Sequence, residues 1–148
     1  MYKHILVATD GSKLSLKAVK TAAALAANLG ARLSGFYAMP SYVPPIYGEA
    51  ALFIPEMTAK GFKAAVEREA QAALAAATKI ADEVDVVLNP VKVTDPQPWS
   101  AIVKAAHSKK CDLIVMASHG RRGLSGLLLG SETTKVLTHS KVPVLVVR

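Results

Sequence analysis

Two uninterrupted apolar runs, Ile5-Leu6-Val7-Ala8 and Leu113-Ile114-Val115-Met116-Ala117, constrain this chain more than any other feature. Neither alternates apolar with polar residues, which is the pattern of a parallel strand covered by helices on both faces. Each run stops at a polar turn containing glycine: Asp10-Gly11-Ser12 after the first, Ser118-His119-Gly120 after the second. The predicted strands span residues 4–9 and 111–117.

Between these runs the period changes from strand to helix and back. Leu14, Ala18, Ala22, Leu25 and Leu29 form a helical stripe that ends at Gly30, a residue suited to a helix C-terminus. A second strand is predicted over 33–39. The following stretch, 40–48, carries Pro40, Pro44, Pro45 and Gly48 and reads as a long loop. A helical stripe of Phe62, Val66, Ala70, Ala73, Ala77, Ile80 and Val84 predicts a helix over 55–83, with Gly61 marking a break near its start. Residues 85–93 are rich in valine but contain Pro90, which cannot donate a ladder hydrogen bond and so places that strand at a sheet edge or a bulge.

Asp95-Pro96-Gln97-Pro98 suits a helix start, and Trp99, Ile102, Val103 and Ala106 share one face of a helix ending near Lys110. A last helix opens at Gly130-Ser131 and runs to about His139. Val142-Pro143-Val144-Leu145-Val146-Val147 closes the chain as a strand whose early proline again points to an edge. Five strands alternating with four helices predict an α/β fold: one open, parallel, Rossmann-like sheet with helices on both faces and right-handed crossovers. This pattern leaves the strand order open. The 148 residues suit one domain, 1–148, with one core.

Composition narrows the function. Aromatic residues make up 5% of the chain, too few for base-stacking platforms, so packing is aliphatic and Trp99 reads as core or rim rather than ligand platform. The formal charge of +7 favours anionic ligands, but Lys13, Lys17 and Lys20 lie along one outward helix face and no nucleic-acid reading motif accompanies them. No specific nucleic acid is expected. Cys111 is the single cysteine, which excludes an internal disulfide and reads as a small packed hydrophobe. His4, His107 and His139 lack metal-site spacing and read as structural. The opening Met1-Tyr2-Lys3-His4 leads directly into the first strand without a signal peptide's apolar stretch, and no run matches a membrane span. A cytoplasmic protein with no membrane partner is expected.

In an open parallel sheet the ligand site lies beyond the carboxyl ends of the strands. Thr9-Asp10, Ala38-Met39 and Ala117-Ser118-His119 should converge there. Ala117-Ser118-His119-Gly120, nine further residues and then Gly130-Ser131 lead from a strand to a helix start, where unpaired amides and the helix dipole favour a phosphate and Ser131 can add a hydroxyl.

This segment resembles the phosphate loop of the ATP-binding branch of the universal stress protein family: glycine, two residues, glycine, nine residues, then glycine with serine or threonine. Ala117 replaces the first glycine, while Gly120, Gly130 and Ser131 stand at the expected spacing. The resemblance extends over essentially the whole chain, including the opening Ile5-Leu6-Val7-Ala8-Thr9-Asp10-Gly11-Ser12 and the closing valine-rich strand. It implies the strand order 3-2-1-4-5 and a regulatory protein of the stress response that binds ATP, ADP or AMP, with Mg²⁺ as a companion ion. It also implies that Ala8, Thr9 and Asp10 line the nucleoside, that Ala38 and Met116 offer backbone contacts to adenine, and that Asp10 approaches the ribose. Ala117, His119, Gly120, Arg121, Gly130, Ser131, Glu132 and Thr133 would surround the phosphates.

Plainer roles compete with these. Asp10 could cap the first helix instead of meeting a ribose. Arg121 and Arg122 could be solvated, although one of them, Arg121 by preference, is expected to touch phosphate. Glu132 should sit in the first helical turn and offer its backbone N–H rather than its charge. No catalytic residue is assigned: no serine or cysteine has a recognisable partner histidine and acid, and a Walker lysine is missing, so at most slow ATP hydrolysis is expected. The alternative function is a nucleotide-independent dimeric scaffold with a disabled site. The strand 142–147 would expose a ladder edge, and a homodimer through it is expected under either reading.

Overall fold

The computed structural model describes residues 1–46, 53–121, 123 and 129–148. Tyr47 and Gly48 of the predicted loop, and Arg122, Leu124, Ser125 and Gly126 of the predicted phosphate loop, lie outside the described residues. The elements follow the expected alternation: β1 (His4–Ala8), α1 (Lys13–Leu29), β2 (Arg32–Met39), α2 (Ala59–Asp82), β3 (Leu88–Thr94), α3 (Pro98–Ser108), β4 (Leu113–Ala117), α4 (Ser131–His139) and β5 (Val144–Val147). All strand pairs are parallel, in the order β3-β2-β1-β4-β5. Both proline-bearing segments therefore lead to the two edges, where a missing N–H costs no ladder bond.

Alternate residues of the central strands feed two separate layers. Ile5, Val7, Leu33, Leu113 and Val115 pack under α1 and the end of α2, while Leu6, Phe36, Ile114 and Met116 pack under α3 and α4. Both layers exclude water from apolar side chains, which explains why β1 and β4 lack a polar face.

Several boundaries differ from expectation for local reasons. The buried face of α1 is Ser15, Ala18, Val19, Ala22, Ala23 and Ala26, and Leu29 is 40% exposed. The helix turns its small residues to the sheet, which brings its axis close, and leaves the larger leucines at the flanks. Helix α2 begins at Ala59 rather than near residue 55, because Thr58 is extended and its Oγ1 accepts the Gly61 N–H at 3.0 Å. A 3-10 turn over Pro55–Met57 precedes it, and a Cβ on Gly61 would lie 1.6 Å from the Pro55 carbonyl oxygen. Gly61 thus marks where the chain folds back, while the break itself is at Thr58.

Strand β3 starts at Leu88, since Asp85 adopts φ +58° and the Val86 N–H returns to the Ala81 carbonyl to close α2. Likewise α3 stops at Ser108, Lys110 takes φ +55°, and the Cys111 N–H bonds the Ala106 carbonyl, so β4 begins only at Leu113. Strand β5 begins at Val144, because Val142 is tied into a local turn with Ser140. Cys111 is buried in the layer under α3, and burial pushes its thiol up to about 11. No helix among the described residues is long and apolar enough to cross a membrane.

Candidate functional site

The carboxyl ends of β1 and β4 meet through a carboxylate. Asp10 Oδ1 accepts the Ser12 N–H at 3.0 Å and Oδ2 accepts the Arg121 N–H at 2.8 Å, so one side chain shapes the β1–α1 turn and grips the segment after β4. Burial raises the Asp10 pKa, but hydrogen bonds from Ser12, Ser15 and Arg121 outweigh it and hold the carboxyl below its ordinary value. The helix cap is Ser12, not Asp10: its side chain accepts the Ser15 N–H at 3.2 Å. Thr9 is buried, bonding Ser15 Oγ at 2.9 Å and accepting the Gly11 N–H at 3.1 Å. Its side chain therefore organises the turn.

Gly120 is explained by the same carboxylate. A Cβ there would stand 2.8 Å from Asp10 Oδ2, and the residue does not need positive φ, which among described glycines occurs at Gly11 and Gly30. Gly130 closes the loop from the other side: its N–H bonds the Ser118 carbonyl at 2.7 Å, and a Cβ would meet His119 Cα at 3.2 Å. Ala117 continues β4 opposite Val147, outside the left-handed region, so its methyl imposes no backbone strain.

The predicted phosphate residues divide into two groups. Exposed Ser131 and half-buried Glu132 open α4, whose N-cap Gly130 supplies no side-chain hydrogen bond. Among the described residues, no acceptor meets the N–H groups of Ser131, Glu132 or Thr133; the first α4 amide bonded back is that of Thr134, to Gly130 at 3.0 Å. The Thr133 side chain is spent elsewhere, since it is buried and its hydroxyl donates to the Ala117 carbonyl at 3.0 Å. The Glu132 carboxylate is spent too, accepting the Trp99 N–H at 2.8 Å. The guanidinium of Arg121 pairs with Glu69 of α2 at 3.1 Å. His119 is half-buried, its Nδ1 3.2 Å from Ser118 Oγ.

On the proposed nucleoside side, Ala8 and Ala38 are half-buried and Met116 is buried, all packed in the layer under α3 and α4. Sequence reasoning missed Glu69, the partner of Arg121, and Tyr37, a buried phenol whose pKa burial raises. Glu69 has no local signal, since its role depends on how α2 lies against the loop. The Ser12 cap has a local signal, a serine just before the helical stripe that begins at Leu14. Among the described residues no group of three His, Cys, Asp or Glu side chains is arranged to hold a metal ion.

A universal stress protein of Methanocaldococcus jannaschii is 36% identical over 148 residues, spanning 100% of this chain and 83% of the relative. The solved structure of hypothetical protein MJ0577 superposes with a TM-score of 0.79 at 29% identity, covering 99% of this chain and 96% of that one. A universal stress protein solved in complex with cAMP gives a TM-score of 0.72 at 32% identity, covering 99% and 97%. The model of the universal stress protein family matches residues 1–148, and the chain belongs to that family.

Proposed function

We propose that this chain binds an adenine nucleotide, ATP or its ADP and AMP relatives, and acts as a regulatory protein of the stress response in the cytoplasm. One observation carries the reading: among the described residues α4 has no N-terminal partner, where the other helices have one. Ser12 caps α1, Thr58 caps α2 and Glu132 meets the first turn of α3, while the amides of Ser131, Glu132 and Thr133 have no acceptor among the described residues. Such amides, at the positive end of a helix dipole, are a fitting receptor for phosphate. The cAMP complex of a relative at 32% identity supports an adenine nucleotide as the ligand class.

In this reading the ligand's phosphates lie on those three amides with the Ser131 hydroxyl, beside Ala117, His119 and Gly120, and Arg121 exchanges Glu69 for phosphate. Adenine lies toward Ala38 and Met116, with Ala8 and Thr9 beneath the nucleoside and Asp10 near the ribose. Mg²⁺ would accompany the polyphosphate. Two chains join through β5. Denaturing the purified protein and identifying any released nucleotide, with melting curves in millimolar ATP, tests the reading. A ligand at a hundredfold excess over Kd stabilises by about 2.7 kcal/mol. An empty supernatant together with an unmoved Tm overturns it.

A further inference from the structure

Glu132 is the second residue of α4, yet its carboxylate serves another helix. Oε2 accepts the Trp99 N–H at 2.8 Å, and Oε1 lies 3.4 Å from Lys135 Nζ. Trp99 is the second residue of α3, and Gln97, at the N-cap of α3, makes no side-chain cap hydrogen bond. An acceptor from α4 therefore takes the place that a local cap would fill. The same Trp99 also reaches the far end of α4: its ring centroid is 4.4 Å from that of His139, tilted by 36°. Helix α3 thus grips α4 at both ends through one residue, by a backbone amide at the start and an indole ring at the finish.

The position of Glu132 makes this grip more than a cap. Its own N–H is one of the three amides at the head of α4 without an acceptor among the described residues, while its side chain holds Trp99. An anion bonded to that amide restrains the backbone from which the side chain projects. We propose that Glu132 is a positioning residue that transmits occupancy of the anion site at the start of α4 to the first turn of α3, with the Trp99 amide and indole as the receiving end. The inference rests on the nucleotide reading above and adds a route by which the ligand reaches an outer helix. A residue acting only as a cap would hold α3 equally with and without ligand.

Trp99 is the sole tryptophan, so its emission reports the receiving end directly. ATP is titrated into the full chain with calorimetry and tryptophan fluorescence read in parallel. The expected result is a saturable change in Trp99 emission with the calorimetric Kd, together with slower amide exchange in the peptide containing Trp99. E132A should cut the emission change at saturating ATP at least threefold, and E132Q, which keeps an acceptor for the Trp99 amide, should retain it. If E132A is too unstable to titrate, E132D, one methylene short of the amide, is compared with E132Q instead. Heat of binding without a change in emission, or a full response in the shortened variant, overturns the coupling and leaves the nucleotide reading standing. Absence of heat with ATP, ADP and AMP alike overturns both.

Discussion

Asp10 and Arg121, 111 residues apart in the chain, are joined by a 2.8 Å hydrogen bond from the Arg121 amide to Asp10 Oδ2. This bond fixes the first part of the loop after β4 to the turn after β1, across the seam where the two strands lie side by side. Glu69 holds the Arg121 guanidinium from α2, so the loop is tied to two elements at one residue.

Gly120→Ala should loosen that seam. The added Cβ falls 2.8 Å from Asp10 Oδ2, and the carboxylate must give up its place to admit it. Urea unfolding should show a loss of roughly 1–3 kcal/mol. In an Asp10→Ala background the same change should cost clearly less, because the obstructing oxygen is gone; equal costs in both backgrounds would show that the two residues do not interact.

Acid should weaken the fold through Asp10. Its folded pKa lies below the ordinary 3.8, so the folded chain resists a proton that the unfolded chain takes up. The contribution is complete above 3.8 and is lost as pH falls from there through the folded value. Urea midpoints measured from pH 5 downward should fall less steeply for Asp10→Asn than for the wild type.

His4 should produce a second pH dependence, at milder acidity. It is buried, with Nε2 2.9 Å from Ser34 Oγ and Nδ1 3.1 Å from the Lys109 carbonyl, an arrangement that suits a neutral ring donating at one nitrogen and accepting at the other. Burial, reinforced by the charge of Arg32, lowers its pKa from 6.5. Between 6.5 and the lower folded value the unfolded chain binds a proton the folded chain refuses, so stability drops as pH falls through that window. Comparing urea midpoints at pH 7.5 and 5.5 should show this drop in the wild type and a smaller one in His4→Gln.

Leu145→Lys should separate the proposed dimer. Strand β5 pairs with β4 on one side only, and Leu145 on it is 37% exposed. Light scattering should give the mass of two chains for the wild type and of one for the variant, with a stability change of about 0.5 kcal/mol in the isolated chain. A wild type that scatters as a monomer at micromolar concentration removes the interface.

Element order and class were legible along the chain because they depend on local period: the apolar runs of β1 and β4 have no polar face to offer water, and Pro90 and Pro143 suit only places where a ladder bond is not needed. Gly120, Gly130 and Ser131 were legible as a loop leading into a helix start, since glycine and a small hydroxyl residue at that spacing suit close backbone turns. Tertiary packing decided what each of them is for. Gly120 clears the carboxylate of Asp10, far away along the chain, the Thr133 and Glu132 side chains turn away from the helix start to serve Ala117 and Trp99, and α1 presents alanines rather than leucines to the sheet. These relationships join groups distant in sequence, and their energies depend on which atoms the fold brings within a few ångströms, so no pattern of neighbouring residues could encode them.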